Sequence, residues 1–402
     1  SNWDGMTDIA SAIQIQKGLG ATSLVAGQLG GTINIVSGAA NSNRGFGYKQ
    51  EFGSDSFLKT TFTASTGLLD NGVALSGLVA KKTWNGYVDG TWSDAYSYYF
   101  SAHKTFGNGK HTLDANVLGA PQQHGQRDED QIYTAEDWKS FTPSDYSSSD
   151  DFRRISPHRY GSGWGELTEQ QYDDLNDNSV GHRGSTDWAH DVLFGGIMHT
   201  KQVGDKYIIN TRTNYYHKPV WSLNWKWNVD EQSSLSTTLY GSKGRGGGTG
   251  PMNTRDTYMG DDGVDDYYKY FNPAEMSDGT IDWTQVIANN QQWSSGSDFD
   301  TTYSDDMRRS KRIIRASVNH HDWTGVLSTY NRAINENLKI TTGVDIRSYA
   351  GEHYREVVNL LGGDYYVHHY AKAGETGTER MRDVGGLIDY HNTGYHDWYG
   401  GW

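Results

Sequence analysis

The sequence predicts an all-β fold, a transmembrane antiparallel β-barrel. Three observations predict it. Several stretches alternate strictly between apolar and polar residues. Tight turns alternate with longer connections along the chain. Tyr, Trp and Gly abound while Pro is scarce: 27 Tyr, 14 Trp and 49 Gly against 6 Pro in 402 residues.

Composition supports that reading. Hydrophobic residues make up 35% of the chain, low for several packed soluble cores, and aromatics 13%. A barrel that spans lipid needs apolar residues only at alternate strand positions, and it gathers Tyr and Trp at the membrane interfaces. The longest apolar runs, such as Val192 to Met198, fall far short of the roughly 18–20 residues of a spanning helix. A closed barrel is then the remaining way to cross a bilayer with every backbone polar group paired. The formal net charge of −14 argues against nucleic acid as a partner. There is no Cys, which excludes disulfides, thiol chemistry and Cys-based zinc sites.

The strands carry the argument from about Arg44 onward. Leu113, Ala115, Val117 and Gly119 alternate with Thr112, Asp114 and Asn116. Trp221, Leu223, Trp225 and Trp227 alternate with Ser222, Asn224, Lys226 and Asn228. Leu338, Ile340, Thr342, Val344 and Ile346 alternate with Lys339, Thr341, Asp345 and Arg347. A period of two gives a strand one apolar and one polar face. A soluble sandwich would bury the apolar face, whereas a membrane barrel turns it to lipid.

The connections separate these two. Tight turns are expected at Leu69–Gly72, Phe106–Lys110, Gln202–Lys206, Val229–Ser233 and Ile334–Leu338. Between them lie Gly53–Ser56, Asn85–Trp92, Ala120–Ala189, His217–Val220, Lys243–Lys311 and the residues from Tyr349 onward. Short turns at one end and mostly longer loops at the other characterise outer-membrane barrels. The count is about eleven to twelve strands, the last starting near Gly394. Residues 120–189 and 243–311, rich in Asp, Ser, Gly and Tyr, read as long external loops. His353 to Leu361 reads as a short helix stopped by Gly362-Gly363. The chain opens at Ser1-Asn2-Trp3-Asp4, without Met or a secretory leader, and ends at Trp402 in an aromatic run. The expectation is a segment of a longer protein whose targeting signal lies upstream.

Residues 13–37 read as strand, glycine turn, linker, Gly-Gly and second strand, Thr32 to Val36, leading into the barrel. Lys17-Gly18 and Gly30-Gly31-Thr32-Ile33-Asn34-Ile35-Val36 resemble the end of the plug domain of TonB-dependent outer-membrane receptors. Further stretches resemble the branch of that family common in Bacteroidota: WNGYVDGT at 84–91, NYYHKPVWSLN at 214–224, GRGGGTG at 244–250 and GEHYREVVNLLGGDYY at 351–366. The resemblance implies the C-terminal part of a plug at 1–40, inside the lumen. It implies that residues 41–402 are the N-terminal half of a 22-stranded barrel in a bacterial outer membrane. It further implies an external ligand, a surface lipoprotein as a candidate partner, and energy from the TonB complex. The TonB-contacting box is not in this chain.

The remaining motifs have bland readings. Gly18-Leu19-Gly20-Ala21-Thr22-Ser23 imitates a dinucleotide turn, but Ser23 replaces the third glycine and another strand follows in place of a long helix. Asp261-Asp262-Gly263-Val264-Asp265-Asp266 lacks the ordered ligand spacing and final Glu of an EF-hand loop. The pairs His320-His321 and His368-His369 place neighbours on opposite faces if extended, so neither pair chelates one ion. His353 and Glu356 could share a helix face, but one His and one carboxylate make a weak site. Gly244 to Gly250 lacks the Gly-Lys-Ser/Thr ending of a phosphate loop and is expected where a strand leaves the membrane.

No catalytic constellation, cofactor motif or metal motif is visible, so the reading is active import and not an enzyme. Iron chelates, cobalamin, glycans and peptides all remain open as ligands. The alternative is a passive porin or structural barrel, which predicts no plug.

Overall fold

The computed structural model describes residues 12–17, 31–36, 38–127, 161, 163–176, 188–195, 199–253, 276–277, 280–292, 307–370, 378–382 and 387–401. Two strands come first, β1 (Ala12–Lys17) and β2 (Gly31–Val36), then a 3-10 turn, Ala39–Asn41. β3 (Gly45–Phe52), β4 (Leu58–Ser65), β5 (Val73–Trp84), β6 (Ser93–Phe106), β7 (His111–Gly119) and β8 (Gln122–Gly125) follow. An excursion then carries β9 (Trp164–Leu167), α1 (Glu169–Asn176), α2 (Trp188–Phe194), β10 (Thr200–Val203) and β11 (Lys206–Asn210). The chain returns as β12 (Thr213–His217), β13 (Val220–Asn228) and β14 (Ser233–Asn253). β15 (Met276–Ser277), β16 (Thr280–Ile281) and α3 (Trp283–Gln292) precede β17 (Arg312–Asn335) and β18 (Leu338–Asn359). β19 (Tyr366–Tyr370), β20 (Thr378–Arg382) and β21 (Leu387–Gly401) complete the series.

Twelve of these strands form one antiparallel sheet that runs β3, β4, β5, β6, β7 with β8, β13 with β12, β14, β17, β18, β21. β7 and β8 form one stave, interrupted at Ala120-Pro121; β13 and β12 form another, interrupted at Lys218-Pro219. The register does not change across the break: Val220 pairs with Leu118 below it and Tyr216 with Gln122 above it. Proline lacks the N–H a ladder needs, so it opens a gap without turning the strand.

The sheet thus has twelve strands, within the eleven to twelve expected, but they make only ten staves among the described residues, fewer than the connections suggested. Two connections account for the difference. His217–Val220 is this proline gap within one stave. Gln202–Lys206 is the hairpin of a separate three-stranded sheet, β10-β11-β9, within the excursion. The other four tight turns follow every second stave and so share one end. Their chemistry fits: Gly107, Asn108 and Gly109 all adopt positive φ, conformations that glycine and asparagine accept.

Three expectations need correction. His353 to Asn359 belongs to β18 and is not helical; it pairs with β17 up to Ile314 and Asn359. The long cross-strand ladder overrides the local helical pattern, and the chain turns only at Leu361 and Gly362, both at positive φ. The loop expected from Lys243 does not begin there: the glycine run 244–250 stands just past the bare band but still inside β14, paired with β12 and β17, and the strand continues to Asn253. The stretches 120–189 and 243–311 are not bare loops, since they hold β8, β9, α1, β15, β16 and α3 along with the end of β14.

Burial along the staves is inverted relative to a soluble sheet. On β5 and β6, Leu75, Val79 and Phe100 are exposed (Val79 46%, Phe100 50%), while Ser97, Ser101 and His103 on the other face are buried (Ser101 4%). Pairing carries this parity across the sheet: Phe100, Val117 and Trp221 share one face, and Ser101, Asn116 and Ser222 share the other. It continues through Leu223, Leu239, Val326 and Ile346 on the apolar face, and Asn224, Thr238, Leu327 and Asp345 on the inner face. The inner face is not wholly polar, because Leu78, Ala80 and Tyr99 form a small apolar cluster on it.

The bare apolar face is a band. On β18 it runs from Leu338 to Ser348, ten residue steps with no charged side chain on that face. That is about 34 Å of strand, or about 24 Å of height at a 45° tilt, close to the roughly 25 Å apolar band of outer-membrane barrels. Strands β14, β17 and β18, with 21, 24 and 22 residues, run well past it. Beyond the band the same face continues as Tyr215, Ile314, Ala316 and Val318. There it is covered by Leu167, Leu175 and Ile209 from the excursion, Ile281 of β16, and Trp283 and Val286 of α3. On the inner face, Met252, Ile313 and Val357 pack with Leu360 and Tyr366.

Candidate functional site

The inner wall carries the polar chemistry. His103 Nδ1 lies 2.7 Å from Asp114 Oδ1, and its Nε2 lies 2.9 Å from Thr105 Oγ1. Tyr99 donates to Asn116 Oδ1 at 3.1 Å. Asn116 and Asn224 both donate to Ser222 Oγ, at 3.5 and 3.2 Å, and Thr238 donates to Asn224 Oδ1 at 2.8 Å. Tyr240 donates across β17 to Asp345 Oδ1 at 3.0 Å. It can do so because its registered partner on β17 is Gly325. A Cβ at 325 would lie 2.4 Å from the Tyr240 ring. These bonds form a belt from β6 to β18 in which side chains hold one another in place.

Thr105, His103 and Asp114 line up as a hydroxyl, an imidazole and an orienting carboxylate would in a hydrolase. Thr105 nonetheless stands within the sheet, opposite Thr112, with its own amide bonded to Gly72 O. That amide is not free to hold an oxyanion, and the trio serves as a tie between β6 and β7.

The plug-like residues are placed only by pairing. β1 and β2 are antiparallel, with Lys17 registered on Gly31, Ile15 on Ile33, Gln14 on Asn34 and Ile13 on Ile35. The strand–strand reading of this motif holds, whereas Gly18, Gly30 and the turn 18–23 lie outside the described residues. So does the acidic run 261–266. Immediately after β2, the 3-10 turn packs on β5 and β6, and Ala39 N donates to Ser101 Oγ at 3.1 Å. Residue 39 therefore rests on the polar wall.

Further along the inner wall, beyond the bare band, stand Asn319, His321, Tyr349 and His353. His320 is on the other face, with its Nδ1 3.5 Å from Glu352 and its ring edge-on to Tyr354. The expectation that His320 and His321 diverge is met. His353 and Glu356, three apart on a strand, also lie on opposite faces. Among the described residues no group of three or more His, Cys, Asp or Glu is placed to hold a metal ion, and no helix is long and apolar enough to cross a membrane.

Sequence reasoning found the faces through parity. It did not find which inner residues meet, because Tyr240 and Asp345 are 105 positions apart and joined only through the strand order.

No family model matches the sequence, and no curated protein matches it. Solved structures do. The ferric-catecholate import receptor Fiu of E. coli K12, closed form, aligns over 98% of this chain and 52% of its own at 10% identity and a TM-score of 0.47. The pyoverdine outer membrane receptor FpvA of Pseudomonas aeruginosa PAO1 aligns over 97% and 42%, at 11% identity and a TM-score of 0.47. The siderophore receptor PiuA of Acinetobacter baumannii aligns over 97% and 43%, at 8% identity and a TM-score of 0.43. The chain thus spans about half the length of these structures or less. At such values the likeness carries neither ligand nor activity from those proteins to this chain.

Proposed function

We propose that this chain forms wall staves and the plug end of a TonB-dependent receptor that imports an external ligand across a bacterial outer membrane. The inverted burial carries the proposal: apolar side chains lie bare over a band of bilayer height, and polar side chains line the opposite face. Water cannot be the solvent of the bare face without a large cost, since each fully exposed Leu, Val or Phe forgoes about 1.5–3 kcal/mol of burial. The Gly-Gly-Thr-Ile-Asn-Ile-Val strand just before the first stave, and the docking of Ala39 on the inner wall, support a plug seated inside.

In this reading lipid meets the band and an external ligand arrives at the end away from the tight turns. Ligand selection resides in the elaborated segments 120–189 and 243–311, because binding surfaces sit on long connections held by a rigid scaffold. TonB supplies the energy, and a surface lipoprotein is a candidate partner. The reading does not choose among iron chelates, cobalamin, glycans and peptides.

The test shortens each segment in the full-length receptor, confirms membrane insertion, and measures ligand binding and uptake separately. Segment loss should weaken binding. Loss of TonB should spare binding and stop uptake. Uptake that continues undiminished without TonB would make the protein a passive pore.

A further inference from the structure

We propose that His321 and His353 form a binding seat for a divalent late transition-metal ion (Zn²⁺, Cu²⁺ or Ni²⁺) on the inner wall beyond the membrane band. The rings lie on neighbouring strands of one face, their centroids 5.3 Å apart and their planes at 69°. Two imidazoles bound through Nε2 to one tetrahedral ion, with Zn–N near 2.0–2.1 Å, place their ring centres about 5 Å apart.

The hydrogen bonds leave the right atoms open. His353 Nδ1 lies 2.7 Å from Asn319 Oδ1, which can only accept, so Nδ1 carries the proton and Nε2 carries the lone pair. His321 Nδ1 is engaged by Tyr349 Oη at 2.5 Å. Neither Nε2 has a hydrogen-bond partner among the described residues. Anchoring one ring nitrogen while the other stays open is how proteins orient metal-ligating histidines.

The choice of ion rests on its nitrogen ligands, and binding works against the positive charges of Lys218 and Arg245 that act on His321. Imidazole favours zinc, copper and nickel over magnesium or calcium. Lys218, on the same face, has its ammonium over the Tyr216 ring, 5.8 Å from the centroid. The adjacent His320 belongs to the opposite face and serves as a built-in control.

The seat is tested on the full-length protein in detergent micelles, carrying no polyhistidine tag, by calorimetric titration with Zn²⁺ and by electron paramagnetic resonance with Cu²⁺. The expected result is one ion per chain and copper hyperfine structure from at least two imidazole nitrogens. His321→Gln and His353→Asn should each weaken Zn²⁺ binding at least about tenfold, while His320→Asn leaves it unchanged. Far-UV circular dichroism and heat-modifiable gel mobility confirm that each variant is folded. Unchanged affinity in the folded His321→Gln/His353→Asn double variant, or an equal loss in His320→Asn, would overturn the assignment. Because binding is measured without transport, either outcome leaves the import reading untouched.

Discussion

His199 shows what burial does to one titratable side chain in the region beyond the band. It is fully buried, its Nε2 accepts from Asn359 Nδ2 at 3.0 Å, and its Nδ1 has no partner among the described residues. Burial pushes its pKa down to about 4, against 6.5 in an open chain. Between those values the open form holds a proton that the folded form does not, so stability falls as pH drops from about 6.5 to about 4. The full effect is about 3 kcal/mol. Hydrogen exchange of β11, followed from pH 7 to pH 4 and corrected for intrinsic rates, should show protection falling by up to about a hundredfold. The His199→Asn variant should show a flatter profile; an identical profile would assign the loss to other groups. Nothing in the sequence around residue 199 announces this, because Asn359 comes from a strand 160 positions away. The same holds for the histidine pair: the local pattern put His353 in a helix, and only the pairing of β17 with β18 brings its ring beside His321.

At the scale of single elements, alternation was the readable signal. Leu113 and Val117 share the apolar face with Leu223 and Val344, while Asp114, Asn116, Asn224, Asp345 and Arg347 share the inner one, as the period of two requires. Connections were read less well, for identifiable reasons. Lys218-Pro219 carries turn chemistry but interrupts a stave without bending it. The Gly204 turn is a genuine hairpin that belongs to a different sheet. The segment after His353 looks helical because its spacing ignores a partner strand that supplies a ladder bond to each residue. The faces make a direct prediction. Val117→Arg places a charge on the bare band and should destabilise the barrel by roughly 2–4 kcal/mol near the midplane. Asn116→Arg, one residue away on the inner wall, should cost much less. Reversible folding of the intact barrel into lipid vesicles measures both, and equal costs would reject the assignment of faces.

At the scale of the whole molecule, two tryptophans lie on the bare band near the tight turns. Trp225 and Trp227 stack with His111, which stacks on Phe106. This cluster has the composition of an interfacial girdle. Trp283 is its opposite, fully buried in the core beyond the band. Variants retaining Trp225 or Trp283 as the single tryptophan, folded into vesicles of brominated lipid, should differ sharply in fluorescence. Bromine should quench Trp225 strongly and leave Trp283 bright. Equal quenching would mean that the bare face does not meet acyl chains.

The transition on the outer face, from bare side chains at Val326 to side chains covered by the excursion at Val318, has a consequence for handling the protein. Both lie on the same face of β17, eight residues apart. Detergent replaces acyl chains wherever apolar surface is open, so it should wrap the lower part of each stave as a collar and stop below the covered zone. The collar should be about as tall as the hydrocarbon core of the membrane, although the longest strands reach more than twice that length. A short-chain detergent with a small headgroup is then sufficient to coat the band, and the covered end stays free to make the ordered contacts on which crystals grow.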